Sequence, residues 1–254
     1  MTSDDVQDAD AALVNGDAPP SRHTPLDRGL ILDAAIRFID EQGLPGLTMR
    51  RLGQALGVEA MALYRYVAGK EELLDGVVDR LVAGMRADGE VLDRPQDGWQ
   101  DFVQRLAHGV RRVALTHPKA FPLVASRPPE APWLRPPLRS LDWVEAFLSG
   151  LESEGFTDEA AVASYRAFTS FLLGHLLLEV SAYGADVGPL DVVDDAEPRN
   201  ERPLDHPTVE RLSAALGEDH AATEFEEALE SLLERIALVQ SESSPGGVAA
   251  PARG

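Results

Sequence analysis

Cysteine is absent from the 254 residues, which removes disulfide scaffolds, thiolate zinc sites and thiol nucleophiles. Histidine is scarce, with six copies, so any chemistry has to come from these, from carboxylates, or from Ser and Thr. Long apolar runs are missing too. The longest, Phe168 to Val180, is interrupted by Thr169, Ser170, His175 and Glu179 and reads as too short and too broken to span a bilayer. The first ten residues, MTSDDVQDAD, are acidic where a secretory leader needs positive charge followed by an apolar stretch. The expectation is a cytoplasmic chain with no membrane segment. Basic residues are in deficit, 23 against 43 acidic, for a net charge of −20. That excess favours solubility and weakens indiscriminate attraction to polyanions. No period-two alternation is long enough to propose a sheet, and no internal repeat is visible.

What is present is helical periodicity between low-complexity ends. Residues 1–24 hold five Asp, Pro19-Pro20 and almost no bulky apolar side chain, so they are expected to form a disordered acidic arm. The tail 241–254 has the same character. The stretch 188–207, with four prolines and six acidic residues, is expected to be a mobile loop. Elsewhere, Leu30, Ile31, Ala34, Ala35, Phe38 and Ile39 fall on one stripe of a 3.6-residue helix that Gly43 ends. Similar stripes run through 73–85, 99–113, 138–151, 161–180 and 225–239. Thr157 is the expected N-cap of the 161–180 helix, with Asp158 and Glu159 in the dipole-favoured first turn. The fold class is all-α.

Residues 48–70, TMRRLGQALGVEAMALYRYVAGK, carry the most information. Thr48 can cap a short helix that Gly57 stops in a left-handed conformation. A second helix then starts near Glu59 and ends by Tyr66. Gly53 allows the two to approach, and Leu52, Leu56, Val58 and Leu63 supply a small core. This is a helix-turn-helix, whose second helix enters a major groove. Charge agrees locally, because Arg50, Arg51, Arg65 and Lys70 face the single Glu59 between Pro45 and Lys70. Glu59 is expected to cap the second helix, and Arg51 to pair with a nearby carboxylate.

GLTMRRLGQALGV, then LYRYV, then KEELLD, over residues 26–85, resembles the DNA-binding domain of TetR-family transcriptional regulators. WQDFVQRLAHGVRRVALTHP, Ser126-Arg127-Pro128, GLESEGFTDEAA and GHLLLE are similar to a tetracycline-repressor-like ligand-binding domain. The resemblance implies a helix-turn-helix domain at 25–72 and a larger helical ligand-binding and dimerisation domain at 73–240. It makes Arg50 the main base reader, through bidentate bonds to guanine. Ala60, Met61 and Ala62 would meet bases through apolar contacts, while Thr48, Tyr64, Arg65, Tyr66 and Lys70 would contact phosphates.

By the same resemblance the ligand pocket includes Arg86, Leu106, Val110, Leu123, Ser126, Arg127, Pro128 and Glu179. Leu123 stands where the tetracycline repressor has a magnesium-ligating histidine, and leucine cannot hold a hard cation. The expected effector is therefore a largely apolar small molecule, or an anion read by Arg86 or Arg127, with no cofactor and no metal. Arg127 has the alternative of a structural ion pair, and Glu179 that of a dimer-interface group. His175 and Glu179 share a helix face at i, i+4, but no third ligand accompanies them. His108 and His117 read as ordinary, and the paired prolines 128–129 and 136–137 as a loop and a helix start. The implied protein is a homodimeric repressor that binds double-stranded palindromic operator DNA and is released by an effector. An effector-independent regulator stays open as an alternative. An enzyme using the pocket lacks a nucleophile, base and orienting group in any recognisable arrangement.

Overall fold

The computed structural model describes residues 25–127, 131, 133–134, 140–186 and 206–243. The proposed acidic arm, most of the 188–207 stretch, most of the tail, Pro128 and both proline pairs lie outside these residues. Ten helices form among the described residues, and no strand does: α1 (Arg28–Gln42), α2 (Met49–Leu56), α3 (Ala60–Leu63), α4 (Lys70–Arg86), α5 (Trp99–Thr116), α6 (Pro122–Ser126), α7 (Leu141–Ser153), α8 (Asp158–Ala182), α9 (Pro207–Leu216) and α10 (Ala221–Ser243).

The stops and starts are chemical. The Asp27 carboxylate accepts the Leu30 amide at 2.8 Å to open α1, and the Thr48 and Thr157 hydroxyls accept the Arg51 and Ala160 amides to open α2 and α8. Gly43 ends α1 at φ 78° and Gly57 ends α2 at φ 69°, a left-handed conformation that strains side chains bearing a Cβ.

α4 sits between the two ends of the molecule. It packs on α1, α5 and α6. Leu73, Leu74, Val77, Val78 and Leu81 are buried along it. Arg80 binds Asp33 of α1 through Nε at 2.7 Å and Nη2 at 3.0 Å, and His117 at the end of α5 bonds Asp40 of α1 at 2.7 Å. The Arg80 guanidinium holds the Asp33 carboxyl below its ordinary value.

α8 is the central helix of the larger part, packed on α5, α7 and α10. The apolar run read as too short belongs to a helix of 25 residues, long and apolar enough to cross a membrane by length and composition alone. Its buried face, from Ala160 to Val180, is occupied by neighbouring helices.

Other expectations need correction. α3 spans four residues and gives way to turns at Tyr64–Tyr66, because the chain folds back to bury Val67, 1% exposed, before entering α4. Pro207, placed in the loop, is the first residue of α9. α10 runs to Ser243, three residues into the stretch expected to be tail. α9 has no buried residue, so no packing signal advertised it.

Candidate nucleic-acid interface and ligand cavity

The helix-turn-helix is held by a backbone approach. A Cβ on Gly53 would stand 2.9 Å from the Val58 carbonyl oxygen and 3.2 Å from the Ala60 nitrogen, so glycine is what allows α3 to cross α2 this closely. Leu52 and Leu63 are fully buried in the small core, joined by Leu47, Met49 and Val67, while Leu56 and Val58 are half-buried. Turned outward are Thr48, Arg50, Met61, Tyr64, Arg65, Tyr66 and Lys70. Met61 is 74% exposed, whereas Ala60 and Ala62 are half-buried.

The basic residues of this surface divide into two kinds. Arg51 donates to the Gly46 carbonyl at 2.8 Å and to the Gln42 amide oxygen, and its guanidinium lies 5.0 Å from the Phe38 ring centroid. Its partners are thus an amide, a carbonyl and a ring, in place of the expected carboxylate, and it ties α2 to α1. Arg50, Arg65 and Lys70 form no ion pair with a described residue and stay available to an anion. Glu59 precedes α3 but makes no side-chain cap bond, so its expected capping role is not realised. Glu72 instead accepts the Ala68 amide at 2.6 Å at the entry to α4, just ahead of Lys70.

The larger part contains an apolar cavity, with about 70 Å³ open to the centre of a water-sized molecule. Leu81, Val82 and Met85 of α4 form one wall, Leu106, Val110 and Val113 of α5 another, and Phe121 and Val124 a third. Trp143 and Phe147 of α7 with Tyr165, Phe168, Thr169 and Leu172 of α8 complete it. Phe147 stacks on Phe168 with centroids 5.1 Å apart and meets Tyr165 edge-on at 6.0 Å. Burial pushes the Tyr165 phenol above its ordinary value, offset in part by its hydrogen bond with Thr169, which leaves it neutral.

Of the pocket residues proposed from sequence, Leu106 and Val110 line this cavity, Pro128 lies outside the described residues, and the others are placed elsewhere. Arg86 lies outside, half-exposed, 3.4 Å from Asp142 and 5.3 Å from the Trp143 ring centroid. Leu123, which is buried, and exposed Ser126 border a separate groove beside Gly43 to Pro45. Arg127, 13% exposed, bonds Asp75 at 2.7 Å and Glu71 at 2.8 Å, fastening α6 to α4. Burial alone would lower the Arg127 pKa, and the two carboxylates outweigh it. Glu179, whose side chain is 2% exposed, takes a two-point bond from Arg111 at 2.6 and 3.0 Å.

The sequence reading missed Trp143 and Arg111. Trp143 is four residues before Phe147 on the stripe of α7 and was open to notice; the Arg111–Glu179 pair spans 68 positions and leaves no local trace. His175 does not converge with Glu179 on a shared site. It packs against Phe171 and Phe225, and its Nε2 is buried without a hydrogen bond to a described residue. His108 lies 3.6 Å from Glu226. No group of three potential metal ligands occurs among the described residues.

Comparison with known proteins supplies the frame for these features. Residues 31–77 match the family model described as bacterial regulatory proteins, tetR family, and residues 93–239 match the tetracyclin repressor-like C-terminal domain. The chain is 32% identical over 155 residues to the HTH-type transcriptional repressor DrrR1 of Streptomyces coeruleorubidus, covering 61% of this chain and 53% of that protein. It is 31% identical to the class D tetracycline repressor protein of Escherichia coli, covering 60% of this chain and 66% of that one. These alignments therefore span about half to two thirds of the relatives' length. The crystal structure of a possible TetR family transcriptional regulator from Streptomyces coelicolor A3(2) superposes with a TM-score of 0.64 at 28% identity, covering 84% of this chain and all of the other. With both family models matched in order across most of its helices, the chain belongs to the TetR family of transcriptional regulators.

Proposed function

We propose that this protein is a homodimeric repressor that reads a palindromic operator through α2 and α3 and is released when a small molecule fills the apolar cavity. The observation that carries the reading is the course of α4. It begins at Lys70, beside the DNA-facing surface, and ends with Leu81, Val82 and Met85 in the cavity wall. Lys70 and Met85 are about 22 Å apart along the helix axis. A ligand that favours one position of this helix shifts the readers by its differential affinity for the two states. The Arg127 bridges to Glu71 and Asp75 and the Arg80–Asp33 pair make α4 answer to α6 and carry α1 with it.

Arg50 supplies the bidentate base contact, with Ala60, Met61 and Ala62 against thymine methyls, and Thr48, Tyr64, Arg65, Tyr66 and Lys70 hold phosphates. Dimerisation is supported by apolar side chains that α8 and α10 leave in solvent. Leu178 is 74% and Leu238 63% exposed, on helices that already pack on each other. A two-fold axis there sets the readers about one DNA turn apart, ~34 Å. The test is selection of bound duplexes from a random pool, with sedimentation of the winning complex. Recovery of an inverted repeat bound by two chains is expected; recovery of asymmetric sites bound by one chain would overturn the reading.

A further inference from the structure

Arg50 and Arg51 are neighbours on α2, and their side chains have different surroundings. Successive residues of a helix are turned about 100° from one another. Arg50 is exposed and forms no ion pair with a described residue, while Arg51 reaches back across residues 43–48 to α1. One of its Nη groups donates to the Gly46 carbonyl at 2.8 Å, the other to the Gln42 amide oxygen, and the guanidinium carbon lies 5.0 Å from the Phe38 ring centroid. The seat is fitted to it. A Cβ at position 46 would stand 2.9 Å from Arg51 Nη1 and 3.2 Å from the Gln42 carbonyl oxygen, so glycine leaves the guanidinium its place.

The end of α1 is a firm base for this tie. Phe38 is buried, and two residues before Gln42 the Asp40 carboxylate bonds His117 of the larger part at 2.7 Å. On α2 itself the Arg51 amide donates to the Thr48 hydroxyl at 3.2 Å, so residue 51 is held through main chain and side chain alike. The consequence is geometrical. α2 has eight residues and buries only Met49, Leu52 and Gly53, a narrow face with which to resist rolling about its axis. A roll of about 10° carries a group roughly 6 Å from the axis through about 1 Å. That exceeds the latitude of a pair of hydrogen bonds to one base.

We propose that Arg51 is a positioning residue for the DNA reader: it clamps α2 to the end of α1, fixes the roll of α2, and so sets the direction in which Arg50 meets its base, without itself holding a phosphate. This rests on the DNA-reading function given above.

The test uses the full chain and a fluorescein-labelled duplex carrying the inverted repeat that selection recovers. A second duplex is altered at the base pair where Arg50→Ala loses discrimination. Arg51→Lys keeps the charge and loses the planar fork and its stacking; Gln42→Ala changes no charge and favours the helix. Operator binding should weaken about tenfold in Arg51→Lys and about threefold in Gln42→Ala, part of the value of one bidentate base contact. Binding to the altered duplex, which has no Arg50 contact to lose, should not change. The salt dependence should keep its slope, and the melting temperature should stay within about 3 °C. The double variant should bind no more weakly than Arg51→Lys alone, because the tie is already broken. Operator affinity unchanged in Arg51→Lys, both duplexes weakened by the same factor, a shallower salt dependence, or additive losses in the double variant would each overturn the proposal. Should Arg51→Lys melt early, Gln42→Ala decides alone, and unchanged operator binding in it overturns the proposal. Failure of the regulator reading looks different: the unaltered chain then selects no duplex at all, which removes this proposal with it.

Discussion

Removing Arg111 is expected to destabilise the protein more than any surface substitution. Its guanidinium meets Glu179 at two points, 2.6 and 3.0 Å, with side-chain exposures of 18% and 2%, and lies 4.9 Å from the Phe225 ring centroid. The pair therefore joins α5 to α8 and rests on α10. Arg111→Ala leaves a carboxylate in the interior without its counter-ion, a change that costs about 3–5 kcal/mol. Replacing both partners with apolar residues, Arg111→Met with Glu179→Leu, removes the buried charge as well. That double variant should lie within about 1.5 kcal/mol of the unaltered protein, since well-packed apolar replacements of such pairs are often neutral. The assay is urea unfolding followed by circular dichroism at one fixed protein concentration, because subunit association also shifts the midpoint. A loss below about 1 kcal/mol for Arg111→Ala, or a double variant as unstable as the sum of the singles, would refute the argument that desolvation dominates here.

Gly53→Ala should lose about 1 kcal/mol net, since the contact with the Val58 carbonyl oxygen outweighs the helix propensity gained. Its operator affinity should fall further than its melting temperature indicates, and an unchanged operator affinity would contradict the close-approach argument. The Asp33–Arg80 pair is partly solvent-exposed, 37% and 48%, so its contribution is small, under about 1 kcal/mol. Its sign is fixed by the depressed Asp33 pKa. The stabilisation is present above the ordinary value of 3.8 and is lost as pH falls through the lower folded value. Asp33→Asn should thus be less stable than the unaltered chain at neutral pH and converge with it in acid, as read by unfolding midpoints across pH 2.5–7 (roughly the window the linkage sets). Lys70→Ala should weaken DNA binding about equally on all sequences and flatten the salt dependence by about one phosphate contact.

Much of the fold could be read from apolar stripes, because α1, α4, α5, α7, α8 and α10 each bury one continuous face and so repeat at the helical period. α9 escaped because Val209, Leu212 and Leu216 are all exposed, and its opening Pro207 reads equally well as loop. The end of α3 was misplaced for a different reason. Helical spacing continues through Tyr64–Tyr66, but burying Val67 imposes a turn that only tertiary packing specifies. At the helix-turn-helix the motif was local, so Arg50, Met61 and Lys70 could be named from its resemblance to the family. In the larger part the relevant facts are pairings far apart in sequence. Nothing near Arg127 or Glu179 announces Asp75 or Arg111, and a residue lining a cavity has the same apolar character as one filling a core.

The central claim is that Arg50, exposed and without an ion pair among the described residues, reads a base while the protein grips DNA through α2, α3 and the start of α4. Fluorescence anisotropy on labelled DNA from the gene's own upstream region, or on the duplex recovered by selection, tests it most directly. Excess competitor DNA and several salt concentrations should be included, with Arg50→Ala in parallel. Tight, competitor-resistant binding is expected, and Arg50→Ala should lose about 1–3 kcal/mol of it together with discrimination at one base pair of each half-site. Binding that competitor DNA removes, or an Arg50→Ala variant with unchanged affinity and specificity, would contradict the account.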